Sequence, residues 1–343
     1  MSHKFRSLSC ILAIMLALTA CTIGNTGKTD VNSEQNTGKA SATKLTVGLT
    51  YIPDIQFSPL YVAAAKGYFQ EAGLDVNLRH HGPQETLFGA LQAGEEDIVF
   101  AGGDEMMQAR STGIDVVNWA TMYQQYPVVL IAPKAAQIKS WSDLAGKKVG
   151  LPGPYGENYY GLLAALQIHG LTDKVQIEFI GYTQAAALQA KRVDAIIGFA
   201  NNDPIALRNA GLDVVNIGLT DGTQPPLVGV GFGSMSNNIH PEVYHKFLHC
   251  IERAVQEASA DPETVLTITE KYVPSLSEAT ARKNAREVLQ ETLRLYRGTG
   301  EFGQQNPTIW KQMAKFLAEN NILESPVAAE ESYTTAVLTA ASN

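Results

Sequence analysis

Residues Thr46–Arg79 read TVGLTYIPDIQFSPLYVAAAKGYFQEAGLDVNLR. The apolar run Leu45–Thr50 predicts a strand. Pro59 stands where the first turn of a helix has no use for an amide hydrogen, and a helix is expected from there to Gly73. Leu74–Arg79 returns to strand. The alternation continues outward: a helix is expected over Pro83–Gly94, then strands at DIVFA (97–101), VVNWATMY (116–123) and VVLIA (128–132). The order βαβαβ implies a parallel sheet with helices on both faces.

A second series follows, with strands at KKVGLP, VQIEFIG, AIIGF and VVNIG and helices over Tyr159–Ile168, Gln184–Arg192 and Pro204–Ala210. The chain returns through LVGVGFG (227–233) and after His240-Pro241 is helical, near 241–260, 262–272, 277–297 and 306–321. Two βα series joined by extended segments predict an α/β protein of two Rossmann-like lobes. Residues 44–131 with 224–343 form one lobe and 132–223 the other, and the helical C-terminal segment is expected on the first. Ligands of open α/β sheets bind beyond the carboxyl ends of the strands, so the facing lobes are expected to line one cleft.

The chain has 343 residues, enough for about two domains. Lys+Arg total 26 against Asp+Glu 34, a net charge of −8 that argues against nucleic acid as a partner. Three cysteines, Cys10, Cys21 and Cys250, make no disulfide framework. Cys250, in a helical stretch, reads as a small core residue.

Residues 1–20 have the form of a signal peptide, with Lys4 and Arg6 before an apolar run too short to span a bilayer. Leu18-Thr19-Ala20-Cys21 resembles the lipobox of bacterial lipoproteins, which implies cleavage before Cys21 and acylation of its thiol and new amino group. Several acyl chains hold a protein firmly to a bilayer. Residues 21–43 then read as the lipidated cysteine and a polar tether, with a reach of ~25 Å. A lipid-anchored monomer at the extracytoplasmic face of the cell membrane is expected.

The strand-end loops carry the candidate site. The first holds Tyr51, Asp54, Gln56 and Phe57; the third and fourth strands end at Asp104 and Glu105, and at Tyr123 and Gln124. In the second series the loops hold Tyr155, Glu157, Asn158 and Tyr159, then Tyr182, then Asn201, Asn202 and Asp203. Lys and Arg are missing from all of these loops. Sites for phosphate, sulfonate or carboxylate usually offer an Arg fork or a Lys, so these loops suit a neutral, donor-rich ligand or a cation. Tyrosines offer faces for a planar ring, and amides and acids read ring amides and hydroxyls.

Enzyme and metal motifs do not appear. The loop Gly150–Gly156 matches neither GxGxxG nor a Walker A sequence. His245 and His249 lie four apart, but Lys246 stands where a zincin carries its glutamate, and a solvated face is expected there. Neither a GxSxG elbow nor a plausible cysteine nucleophile is present. No catalytic residue, cofactor or metal is expected.

The Thr46–Arg79 run resembles the opening of solute-binding proteins of ABC importers, and most of all the thiamine-pyrimidine-synthase-like group. LQAGEEDIVFAGGDEMMQAR, SWSDLAGKKVGLPG and QAKRVDA resemble further segments of that group, and together they span most of 44–235. The resemblance implies a type II periplasmic-binding-protein fold, ligand capture between lobes, and delivery to an ABC permease and its ATPase. It bounds the ligand to thiamine pyrimidine precursors, riboflavin, sulfonates or nitrate, and the cation-free loops count against the last two. The opening run is most similar to riboflavin-binding members. Fungal relatives that make the thiamine pyrimidine carry a CCCFC motif, which this chain lacks. A sensor or adhesin module on the same fold is the remaining alternative.

Overall fold

The computed structural model describes residues 42–82 and 85–340. The signal peptide, Cys21 and the tether up to residue 41 lie outside the described residues. Thr43, assigned above to the tether, already begins the first strand. Among the described residues, no helix is long and apolar enough to cross a membrane.

The first series comprises β1 (Thr43–Leu49), α1 (Ser58–Ala65), α2 (Tyr68–Glu71), β2 (Leu74–His80), α3 (Gly89–Ala93), β3 (Ile98–Gly102), α4 (Gly103–Ser111) and β4 (Val116–Thr121). The second comprises β5 (Val128–Pro133), β6 (Lys148–Leu151), α5 (Gly156–Ile168), β7 (Gln176–Phe179), α6 (Gln184–Gln189), β8 (Ala195–Phe199), α7 (Asp203–Asn209) and β9 (Val214–Gly218). The chain returns in β10 (Val230–Met235) and closes with α8 (Pro241–Ala260), α9 (Pro262–Thr269), α10 (Ala279–Leu295), α11 (Pro307–Glu319) and α12 (Ala329–Ser332).

Two five-stranded sheets result, ordered β2-β1-β3-β10-β4 and β7-β6-β8-β5-β9. Each is mixed rather than parallel throughout. β10 runs antiparallel to β3 and β4 in the first sheet, and β5 runs antiparallel to β8 and β9 in the second. In both sheets the odd strand is the one delivered by a crossover between the lobes. The crossover enters from the far side of the sheet and has no helix of its own to turn it around. β5 pairs wholly within the second sheet, so the first crossover lies ahead of Val128, and a boundary at 131/132 would cut a strand.

The single helix expected from Pro59 to Gly73 is divided at Gly67, whose φ of +78° costs glycine nothing but would strain a side-chain-bearing residue. The helix expected from Pro83 starts only at Gly89, and α5 begins at Gly156, ahead of Tyr159.

The first lobe's core is aromatic, with Trp119 and Phe232 stacked at 5.3 Å between ring centroids and Phe69 stacked on Phe247 at the same spacing. Residues Tyr244, Phe247, Leu248, Ile251, Ala254 and Ala258 recur at three- and four-residue intervals and bury one stripe of α8. Cys250 is buried there too, with Sγ 3.3 Å from the Tyr68 carbonyl, and burial raises its thiol pKa to about 11. The histidine pair on α8 diverges: His245 Nδ1 meets the Val337 carbonyl at 2.9 Å, while His249 lies against Glu252.

The C-terminal helices touch both lobes rather than the first alone. Trp310 and Met313 of α11 share a buried apolar cluster with Met107 of α4 and with Tyr160 and Ala164 of α5. On α10, Thr292 is hydrogen-bonded to Asn201 of the second lobe.

Candidate ligand-binding cleft

The loops at the strand ends of both lobes enclose a cavity of about 390 Å³, lined by residues from each. That is within the ~300–1,000 Å³ usual for small-molecule pockets.

On the first lobe, Asp54 caps the short turn Ile55–Phe57, its Oδ1 accepting from the Gln56 amide at 3.0 Å. That bond turns Gln56 and Phe57 toward the cavity and leaves Asp54 itself off its lining. Phe57 meets Phe100 edge-on at 6.1 Å, and Phe100 meets Tyr123 at the same distance, giving an aromatic wall. Tyr296 of the C-terminal segment backs Tyr123 at 5.4 Å. At the mouth stand Tyr51 from this lobe and Tyr155 and Tyr182 from the other, 45%, 55% and 75% exposed. Exposed aromatic faces at the mouth of a cavity are surfaces ready to be covered.

The second lobe contributes the N-terminal turn of α5, with Tyr155, Glu157 and Asn158, and the loops carrying Tyr182, Gln184, Asn202 and Asp203. Asp203 is fixed by the Phe199 amide, which donates to its Oδ2 at 2.6 Å. Burial raises the Asp203 carboxyl, and that amide opposes the rise. Two acceptors on the lining, Glu157 Oε1 and Asn158 Oδ1, are buried with no hydrogen-bond partner. Unpaired buried acceptors cost about 1–3 kcal/mol each, a cost that a donor arriving between the lobes removes.

Electrostatically the cavity is one-sided. Among the described residues that line it, none is Lys, Arg or His, whereas Glu105, Glu157 and Asp203 are. Burial pushes the Glu157 carboxyl well above the usual range, with Asp104 and Glu105 adding to the rise. Asp104 is likewise raised by burial and then by Glu105. Glu105 is raised by burial, and the Gly102 amide, donating to its Oε2 at 3.0 Å, opposes this.

Of the sixteen candidates, the structure brings eleven to the cavity: Tyr51, Gln56, Phe57, Glu105, Tyr123, Tyr155, Glu157, Asn158, Tyr182, Asn202 and Asp203. The other five take different work. Asp54 caps its turn; Asp104 is wholly buried behind the wall, with the Tyr126 hydroxyl donating to its Oδ2 at 2.6 Å. Gln124 turns away to the Thr121 and Gln304 carbonyls, and Tyr159 packs in apolar clusters of the second lobe and the lobe junction. Asn201 is fully buried against Thr292.

The lining residues that sequence reading missed include the strand positions Phe100, Phe199 and Val230, the first residue of α6, Gln184, and Leu87 in the turn before α3. Alternation marks the first three as buried without saying that they face a cavity. Leu87 lies in a stretch that reads as helix.

The family model described as "NMT1/THI5 like" matches residues 54–265. Riboflavin-binding protein RibY of Chloroflexus aurantiacus is 29% identical over 96% of this chain and 97% of its own length. A formylaminopyrimidine-binding protein of Halalkalibacterium halodurans is 25% identical over 96% and 98%. Among solved structures, the periplasmic aliphatic sulphonate-binding protein SsuA of Escherichia coli superposes with a TM-score of 0.68 at 17% identity, over 85% of this chain and 92% of its own. That likeness identifies the type II periplasmic-binding-protein fold and carries nothing about ligand. The two sequence relatives are solute-binding proteins along essentially the whole chain, and with the family model covering well over half of it, the protein belongs to the NMT1/THI5-like family.

Proposed function

We propose that this protein captures riboflavin between its lobes and delivers it to an ABC permease and its ATPase, held to the extracytoplasmic membrane face by lipid on Cys21. The observation that carries the reading is a cation-free cavity of about 390 Å³ with tyrosines from both lobes at its mouth. A flat isoalloxazine gains from stacking on Tyr51, Tyr155 or Tyr182. Its imide edge supplies a donor for Glu157 Oε1 or Asn158 Oδ1, and the ribityl hydroxyls suit Gln56, Gln184, Asn202 and Asp203. The ligand bridges the lobes and shifts the population toward the closed arrangement by contacting both. Similarity to RibY over nearly the whole chain supports the same cargo.

A thiamine pyrimidine precursor is the second reading. A relative that binds formylaminopyrimidine spans 96% of this chain, and an aminopyrimidine also stacks on tyrosine and donates to a carboxylate. Titration of the protein into riboflavin, following the vitamin's own fluorescence, separates the two. Quenching at sub-micromolar concentration supports riboflavin. Unchanged fluorescence with a thermal shift from an aminopyrimidine moves the cargo to the precursor, and no response to either sinks both.

A further inference from the structure

Acidic side chains of the two lobes converge on one backbone position. A methyl group placed on Gly102 would lie 2.5 Å from Asp104 Oδ1, 3.0 Å from Glu105 Oε2 and 3.0 Å from Glu157 Cγ. Gly102 and α4 belong to the first lobe, and Glu157 sits in the first turn of α5 on the second. Asp104 is 0% and Glu157 6% exposed, and Glu105 is half-buried between them. The glycine is needed because any side chain there would push the carboxyls apart.

The side chain hydrogen-bonded to this cluster is neutral, and Asp203 is the further acid on the same cavity. The Tyr126 hydroxyl, from the crossover, lies 2.6 Å from Asp104 Oδ2 and 3.0 Å from the Glu157 carbonyl. Tyr123 of the same crossover and Tyr182 of the second lobe line the same cavity as Glu105 and Glu157, and Tyr160 lies on α5 with Glu157. Among the described residues, no lysine, arginine or histidine lines the cavity beside Glu105 and Glu157. The cluster is also not a metal cage. Among the described residues, the one group of three whose ligand atoms converge within 4.8 Å is His81, Glu85 and Glu96, elsewhere in the first lobe.

Unit charges a few ångströms apart repel by a few kcal/mol at an effective dielectric of about 20, and desolvation adds to this. Three desolvated carboxylates at this spacing do not all stay ionised, and the cluster relieves the repulsion by taking a proton on one of them. Glu157 is the member of the cluster that both lines the cavity and has an oxygen, Oε1, without a partner. When the lobes part, Glu157 leaves α4, regains water and releases the proton.

We propose that bringing the lobes together takes up a proton from solvent at the Asp104–Glu105–Glu157 cluster, so that ligand capture weakens as the medium turns alkaline. The inference rests on reading the cavity as a capture site between moving lobes. The step is a simple protonation: carboxylate plus proton gives carboxylic acid on closure, and the reverse on release. Linkage sets the size of the effect. Between the ordinary carboxyl range and the raised range of the closed cluster, each proton taken up changes Kd by at most tenfold per pH unit.

Two measurements test this, one of them without ligand. Asp104→Asn removes a charge from behind the wall without altering the lining. The melting temperature of the variant minus that of the unmodified protein is expected to climb from pH 4.5 to pH 8, because the penalty grows only as the acids are driven to ionise. A difference that stays level over that range overturns the proposal. With riboflavin, Kd is expected to rise with pH, and Glu157→Gln, a neutral mimic of the protonated acid, to flatten that rise. A slope that is absent, or unchanged in Glu157→Gln, overturns the proposal, as does a Kd that follows sodium or calcium concentration instead of pH. If Asp104→Asn does not fold, the ligand-free melting comparison is made on Glu157→Gln. Failure of riboflavin to bind at any pH strikes the cargo assignment alone, and the ligand-free comparison still decides the proton claim.

Discussion

Asn201 of the second lobe donates from Nδ2 to Thr292 Oγ1 of α10 at 2.9 Å, and both residues are buried. This contact joins the C-terminal helices to the lobe across the cavity, beside the cavity-lining Asn202. Asn201→Ala is expected to cost about 1–3 kcal/mol, because the Thr292 hydroxyl is left buried without its partner. Thermal unfolding reads that loss. Since Asn201 does not line the cavity, its variant is expected to keep riboflavin affinity within about threefold once folded.

The mouth tyrosines give the opposite pattern. Tyr155 and Tyr182 are exposed and contribute little to folding, so Tyr155→Ala and Tyr182→Ala are expected to leave the melting temperature nearly unchanged. A stacked pair is worth about 0.5–1.5 kcal/mol beyond area, so each variant is expected to raise Kd roughly two- to tenfold. Phenylalanine at either position is expected to restore most of it. If the alanine variants bind riboflavin as the unmodified protein does, the ring does not sit at the mouth.

How far the sequence could be read follows from which signals are local. Pro59, Gly73 and the apolar runs on either side of them identify β1, its helical stretch and β2, and the same punctuation recurs in the second lobe. Strand-end loops are likewise local signals, which is why most of the candidate residues reach one cavity. Of the five that do not, Asp54 is held by its own turn and the others by contacts with partners farther along the chain. Asn201 looks like its neighbour Asn202 in sequence, yet Thr292, far along the chain, claims it. Asp104 and Glu105 are adjacent acids, and it is Asp104 that turns inward to meet the Tyr126 hydroxyl. The antiparallel entry of β5 and β10 was illegible for the same reason, because strand direction depends on how a crossover enters a sheet.

Ligand charge provides a further check on the cation-free lining. An alkanesulfonate needs a cationic partner to offset desolvation of its anion, and the cavity offers acids instead. Despite the SsuA-like fold, millimolar alkanesulfonate is expected to give no thermal shift at low ionic strength. A rise in melting temperature that saturates with sulfonate would mean that the cavity recruits a cation from elsewhere.

The last prediction concerns stability away from the cavity. Glu96 is 2% exposed, with Arg79 Nη1 at 2.6 Å and His81 Nε2 at 2.9 Å from its Oε1. Arg79 also reaches Glu85 at 2.5 Å, so one guanidinium serves two acids. Removing the cation while keeping the aliphatic stem, as in Arg79→Met, leaves Glu96 without its fixed positive partner. Breaking a buried pair from one side costs about 3–5 kcal/mol, and because the Arg79 side chain is 33% exposed the low end, about 3 kcal/mol, is expected. Replacing both partners, Arg79→Met with Glu96→Gln, is expected to recover part of that loss, since no buried charge is then left unpaired. Denaturant unfolding of the two single variants and the double variant measures the coupling. Additive losses would show that the Arg79 guanidinium and the Glu96 carboxylate stabilise this corner independently rather than through their pairing.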